Sequence, residues 1–404
     1  MTYLNSGNKA DCCGCSACVN VCNHDAIKMI ADEEGFIYPS KNEKCINCGL
    51  CERICPYSQT REDDIKCFED TDNITNPKVY AAYSEKDRKD SSSGGIFYVI
   101  SKLILKNGGV VFGASFDSSL KLDHVAVEDL SELERLRGSK YLQSEIGSTY
   151  RDIKHYLKLG KSVLFAGTPC QVAGLKSYLR TDNPLLITID VVCHGVPSQW
   201  LFDQHCKYLE EKHRAELVSY QFRDNKKWGG CEIAEFKNPH KTIINPTYEL
   251  SPYLYSFMYG FTFRYSCYEC PFAAIPRQGD ITLGDYWGVK KVFPNINSSS
   301  GVSVVLVNNK KGDEVWNLIK EEVSFYESSL EDASRENGNL IKHSSKPPIR
   351  DGVYKLIREW GYEEVAKKYF KSPNYSKIKF YLFKDKYFLR PLSFIYKLLV
   401  KRNN

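Results

Sequence analysis

The chain has 404 residues, enough for two or three domains around a substantial core, and its 42% hydrophobic and 26% charged content is that of an ordinary globular protein. A net charge of +5 is too small for nucleic acid, and no stretch approaches the ~18 apolar residues of a membrane span. Sixteen cysteines follow a start, MTYLNSGNKADCC, that shows no basic segment leading into an apolar run. That combination speaks for metal ligation or redox chemistry in a reducing cytoplasm, not for a secreted disulfide framework.

Residues 1–62 hold two four-cysteine runs. Cys12, Cys15, Cys18 and Cys22 are spaced x2, x2, x3, and Cys45, Cys48, Cys51 and Cys55 repeat that spacing with Pro56 after them. Three thiolates on a tight loop grip three irons of a cubane, while the fourth, beyond the turn, points to a second cluster. Paired zinc sites are the rival for such spacing. Between the runs, HDAIKMIADEEGFIYPSKNEKC reads as strand, turn and strand. The segment resembles a bacterial two-cluster ferredoxin, an α+β iron–sulfur fold. The resemblance implies one 4Fe-4S cluster on Cys12, Cys15, Cys18 and Cys55, and another on Cys45, Cys48, Cys51 and Cys22. Asn23 stands where the family places a proline after Cys22, a turn position and not a ligand. Cys13 is then the spare thiol of the first run.

Residues 63–77 read as a polar linker. From 78 to 330, apolar strands (KVYAAYS, GVVFGASF, KSVLFAG, LLITIDVVC) alternate with helical periodicity (GIFYVISKLILKNGG, STYRDIKHYLKLG, CQVAGLKSYLR, SQWLFDQHCKYLEEK). Alternation of this kind predicts a mixed α/β domain with a largely parallel sheet, in a first part to about 160 and a second from about 161. A last strand and helix fall in VSVVLVNNKKGDEVWNLIKEEV, and the pattern then turns irregular.

In LFAGTPCQVAGLKSYL, Thr168 is placed to cap a helix with Pro169 at its first position, which puts Cys170 in the first turn, where a thiolate is favoured. Cys193 follows an apolar strand, and Cys267 and Cys270 form a C-x2-C pair. Four thiolates suffice for a third 4Fe-4S cluster or for a zinc ion. A rival pairs Cys170 as nucleophile with His194. Cys67, Cys206 and Cys231, like Cys13, have no partner at ligand spacing and read as free thiols.

SSSGGIF at 91–97, RGSKYLQS at 137–144, AGTPCQVAGL at 166–175, VVCHGVPS at 191–198 and C-x2-C followed by GDITLGDYWG together resemble the coenzyme F420 hydrogenase/dehydrogenase beta-subunit family over about residues 78–325. The resemblance implies a flavoprotein with FAD beside a 4Fe-4S cluster on Cys170, Cys193, Cys267 and Cys270. Flavin contacts are then expected from Ser93, Gly94 and Gly95 at a helix start, from Arg137, Ser139, Lys140 and Tyr141, and from Thr168, His194 and Asp285. Asp280 and Asp285 flank one strand and serve equally well as turn caps. No G-x-G-x-x-G fingerprint marks a nicotinamide site.

The expected function is oxidoreduction between soluble ferredoxin or a similar redox partner and a small organic substrate. Its alternatives are a non-catalytic electron-transfer subunit of a larger redox complex, for example one tied to polysaccharide synthesis, and an interaction protein. Residues 331–404 read as a basic helical extension. From Lys371 it carries nine Lys or Arg against Asp385, interleaved with Phe380, Tyr381, Phe383, Tyr387, Phe388, Phe394, Ile395, Leu398 and Leu399. Such a tail suits an anionic membrane surface, a partner protein, or a stripe packed on the body.

Overall fold

In this computed structural model, residues 2–59, 76–224 and 227–384 are described. Most of the expected linker, Cys67 with it, and the tail beyond 384 lie outside the described residues. Strands β1 (Ile27–Ala31) and β2 (Ile37–Lys41) pair as the antiparallel hairpin expected between the cysteine runs. Asp32 shapes its turn, its Oδ1 accepting from the amides of Glu34 and Phe36 at 2.9 Å.

The body is built on β3 (Lys78–Tyr83), β4 (Val110–Phe116), β5 (Leu122–Val127), β6 (Val163–Gly167) and β7 (Leu186–Val191). A separate three-stranded sheet follows, of β8 (Glu216–Asp224), β9 (Lys227–Lys237) and β10 (Lys241–Asn245). Then β11 (Ile281–Asp285), β12 (Ser303–Val307) and β13 (Ser324–Ser328) complete the main sheet, whose order is β13-β3-β12-β11-β7-β6-β4-β5.

The expected parallel sheet is parallel only at its centre, where β11, β7, β6 and β4 run together. The flanking strands β5, β12, β3 and β13 pair antiparallel. Parallel neighbours need a crossover, and helices Thr149–Lys158 and Pro169–Leu179 serve β6 and β7 in this way. By contrast β4 turns straight back into β5, so that pair is a hairpin. β12 is buried at every residue, as a strand covered on both faces must be.

The small sheet, absent from the strands expected above, packs with helix Gln199–His213 and with helices Arg350–Trp360 and Tyr362–Tyr369 into one core. That core also takes Phe36 and Tyr38 of the hairpin. Residues 350–370 are therefore part of the body and not an extension, because Val353, Tyr354, Ile357, Tyr362, Val365 and Ala366 are all buried at helical spacing.

Four arginines fasten the cysteine-rich segment to the body, one of them Arg358, whose Nε donates to the Glu33 carbonyl at 2.6 Å. Arg264, fully buried, donates to the carbonyls of Cys12 (2.7 Å) and Ile37 (2.9 Å) and to Gln143 Oε1 (3.0 Å). Arg151 donates to the carbonyls of Asn20, Val19 and Cys22 at 2.8–2.9 Å. Arg350 makes a two-pronged pair with Glu34.

Candidate redox site and its cavity

Cys18 lies deep in the first cysteine group. Burial, and then the charges of Cys12, Cys55 and Cys51, push its thiol well above the usual range. Cys15 is near Cys55 and Cys18 as well, so Cys12, Cys15, Cys18 and Cys55 are brought together. Cys45 neighbours Cys51 on the outer side. Cys48 is exposed, and its carbonyl accepts from Arg53 Nη1 at 3.2 Å. Cys22 follows helix Ala17–Val21, its carbonyl held by Arg151.

A second, half-buried group forms in the body. Burial, with Cys170 and Cys270 nearby, lifts the Cys193 thiol to about 12. Cys267 is raised well above its ordinary range by burial and then by Cys193, Cys270 and Cys170. Burial and the charge of Cys170 also lift Cys270 to about 12. Grouped thiols of this kind resist ionisation unless a cation is present. Among the described residues no three His, Cys, Asp or Glu side chains close on a point that would hold a single metal ion.

The spare thiol lies between the two groups. Cys13, buried, has both Cys15 and Cys170 as neighbours, and Cys15, together with burial, raises its thiol well above the usual range. Cys170 also contacts Thr168 Oγ1 at 3.1 Å. Among the described residues its hydrogen-bond partner is thus Thr168, with the Cys13 thiol beside it, and no imidazole joins them as a nucleophilic pair requires. Thr168 caps helix Pro169–Leu179 in a capping box with Gln171, as the motif predicts.

Beyond the carboxyl ends of β4, β6, β7 and β11 opens a cavity of about 320 Å³. In α/β sheets ligands bind at this end. Its wall includes Ser93, Gly95, Arg137, Ser139, Lys140, Tyr141, Thr168, His194 and Asp285, nine of the ten residues singled out for flavin, together with Cys193. Gly94 is not among them. A Cβ there would meet the Ala82 carbonyl at 2.2 Å and Ser303 N at 2.8 Å, so this glycine serves the close approach of loop and sheet.

The wall is polar in a particular way. Ser93 Oγ, Arg137 Nε and Asn337 Oδ1 are buried with no hydrogen-bond partner. Arg137 is otherwise held by Glu134, the Asp87 carbonyl and Ser91. Lys140 Nζ donates to the carbonyls of Arg137 (2.7 Å), Leu136 (3.1 Å) and Arg135 (3.4 Å). Burial pulls its pKa down to about 7. Among the described residues no carboxylate pairs with it. Burial likewise lowers His124 to about 4. Its Nε2 lies 3.1 Å from the Ala166 carbonyl, so Nε2 carries the proton and Nδ1 accepts from Ser144 Oγ at 2.9 Å.

Asp285 does not present a free carboxylate. Arg223 grips both oxygens at 2.9 and 3.1 Å, and Trp228 Nε1 donates at 2.7 Å. Arg223 also reaches Tyr141 Oη and the Ser92 carbonyl, binding three segments of the wall together. Arg223, Trp228, His124 and Asn337 went unnoticed in the sequence. They lie outside the motifs, and only β8 and β9, strands interrupted by register shifts, bring Arg223 and Trp228 to the Asp285 carboxylate of the wall. Asp280 is a buried structural acid, accepting from Thr188 N and Oγ1 at 2.7 Å.

Comparison with known proteins places the chain. Residues 160–333 match the family described as the C terminus of the coenzyme F420 hydrogenase/dehydrogenase beta subunit. Residues 11–59 match the 4Fe-4S dicluster domain. The first match starts later than the resemblance read from residue 78, leaving SSSGGIF and RGSKYLQS outside it. No curated protein matches the chain. Among solved structures, one similar to it is a xenon-derivatised F420-reducing NiFe hydrogenase complex from Methanosarcina barkeri, at 17% identity and TM-score 0.44, covering 74% of this chain and 93% of that one. The chain is an iron–sulfur electron-transfer protein whose residues 11–59 match a 4Fe-4S dicluster domain and whose residues 160–333 relate it to the C terminus of the coenzyme F420 hydrogenase/dehydrogenase beta subunit.

Proposed function

We propose that the protein is an iron–sulfur flavoprotein oxidoreductase of the cytoplasm, passing electrons between a ferredoxin-type partner and a small organic substrate. In this reading Cys12, Cys15, Cys18 and Cys55 hold one 4Fe-4S cluster, Cys22, Cys45, Cys48 and Cys51 a second, and Cys170, Cys193, Cys267 and Cys270 a third, with FAD in the cavity. The observation that carries it is the double position of Cys193, a member of the half-buried body group and also part of the cavity wall.

A bound flavin would supply the exchange of an electron pair for single electrons, which clusters alone do not offer. The residues present suit such a group. Ser93 Oγ, Arg137 Nε and Asn337 Oδ1 have unused hydrogen-bonding capacity, and Lys140 carries a cation that an anionic ligand would stabilise. Arg223 and Trp228 keep Asp285 fixed in the wall, and Phe257 closes part of its apolar side. Exposed Cys48 and Ile46, the latter 63% exposed, put the outer cysteine loop where a soluble redox partner can approach.

One observation favours a second reading, a non-catalytic electron-transfer subunit without flavin. The cavity volume is at the low end of small-molecule sites, which run from roughly 300 to 1,000 Å³. Iron and flavin quantitation on anaerobically purified protein separates the two. The proposal expects roughly twelve iron and one FAD per chain. Full iron with no flavin returns the wire, and roughly eight iron removes the third cluster. Failure to exchange electrons with reduced ferredoxin would remove that partner.

A further inference from the structure

The last described helix, Tyr375–Lys384, differs from every other described helix of comparable length, because none of its residues is buried. Its root is tied to the body, where Ser372 Oγ and Asn374 Nδ2 donate to Glu249 Oε1 at 2.8 and 3.2 Å. Further out, Phe380, Tyr381 and Leu382 are 65, 58 and 39% exposed. Successive helical residues point about 100° apart, so three in a row face most of the way round the axis. A helix seated on the body by one apolar stripe would bury at least one of them. Lys377, Lys379 and Lys384 stand among these residues, and the helix contains no acid.

We propose that this helix is a peripheral membrane anchor that docks the protein on an anionic lipid surface. Aromatic side chains settle at the headgroup boundary, while lysines extend their ammonium groups to lipid phosphates. Each lysine near such a surface adds attraction that falls off within a Debye length. The sequence continues in the same vein beyond the helix, with Lys386, Arg390, Lys397, Lys401 and Arg402 against the single Asp385. The lipid surface is favoured over an acidic protein because lysines are interleaved with aromatic side chains, the combination that suits a layer of phosphate headgroups over acyl chains. No described helix is long and apolar enough to cross a membrane, so the contact is interfacial. The inference is independent of the flavin reading.

The test is sedimentation of the full-length protein with lipid vesicles. With phosphatidylcholine vesicles containing phosphatidylglycerol, most of the protein is expected in the pellet. With phosphatidylcholine alone, most stays in solution. The triple variant Phe380→Ser, Tyr381→Ser, Leu382→Ser, all at exposed positions and therefore safe for folding, is expected to lose most of the anionic-vesicle binding while keeping the iron content of the parent. Equal sedimentation of parent and triple variant overturns the proposal, as does a parent that stays in solution with both vesicles. Concentration-dependent dimers without lipid, abolished by the triple substitution in a parent that does not sediment, would assign the helix to a second copy instead.

Discussion

The thiols of Cys13 and Cys170 are near enough to shift each other's ionisation, bringing the 4Fe-4S dicluster domain against the body at the one cysteine that the two ligand runs leave over. Cys13 contacts Cys15 on its other side, so a single buried residue separates a thiol of the first group from a thiol of the body group. Short, packed contact of this kind is what serial single-electron transfer needs. It also makes the assignment of Cys13 testable.

If Cys13 is a link and not a ligand, Cys13→Ser keeps the full iron content, whereas Cys170→Ser loses about four iron per chain. Both are measured by colorimetric iron assay on anaerobically purified protein. A comparable iron loss in Cys13→Ser would place Cys13 in a ligand set and unseat one of the four cysteines named with Cys15 or Cys170.

The same boundary depends on Gly174. A Cβ on this residue would lie 2.9 Å from Cys15 Cβ, 3.0 Å from Cys15 Sγ and 2.9 Å from Tyr150 Oη. Neither neighbour is a flexible chain end, since Tyr150 is fully buried and its hydroxyl donates to the Gln171 carbonyl at 2.8 Å. Gly174→Ala is therefore expected to destabilise the protein by about 1–3 kcal/mol despite the better helix propensity of alanine. Denaturant unfolding of the iron-free protein measures it. A stabilised variant would mean that the cysteine loop does not rest on this helix.

Lys140 gives a pH signature. An unfolded lysine keeps its proton up to its ordinary 10.5, whereas burial in the cavity wall lowers the folded pKa to about 7. Below 7 the folded protein bears the full cost of a buried ammonium, and that cost fades as pH rises from 7 toward 10.5. Arg137 and the His124 ring face the same space, and the wall's carboxylate, Asp285, is already paired with Arg223. In ligand-free protein Lys140→Met should raise thermal stability at about pH 6, by up to a few kcal/mol, with much less gain near pH 10. An equal gain at both pH values would show that the charge is not the cause. The same variant should weaken retention of flavin, read from the flavin released on denaturation.

How much the sequence discloses differs between the two halves of the site. Cysteine positions are legible because ligand spacing is local, and x2, x2, x3 needs only the chain itself. Strands such as KSVLFAG and LLITIDVVC are equally plain, since burial on both faces writes a continuous apolar run. What stays hidden is non-local. Arg223 reaches Asp285 across 62 residues from an edge sheet with broken register, and no local pattern marks it. The helices at 350–370 read as irregular because each is short and broken at Gly361, yet they bury a full stripe once Phe36 and Tyr38 supply the other surface.

That last contact carries an ion pair with a definite expectation. Arg350, fully buried, meets Glu34 through both guanidinium nitrogens, joining residues 316 apart. Arg350 Nε also donates to the Phe263 carbonyl, so the arginine is satisfied on three sides. Removing it leaves the Glu34 carboxylate buried without a counter-charge, and Arg350→Met should cost about 3–5 kcal/mol. The double variant Glu34→Gln, Arg350→Met removes the stranded charge as well and should recover a large part of that loss. Unfolding measurements on the four members of the cycle decide it. If the double variant is as unstable as the sum of the two single changes, the pair is not coupled, and the hairpin is held to the helix by its other contacts, among them Phe36 against Tyr354 and Arg358 Nε on the Glu33 carbonyl.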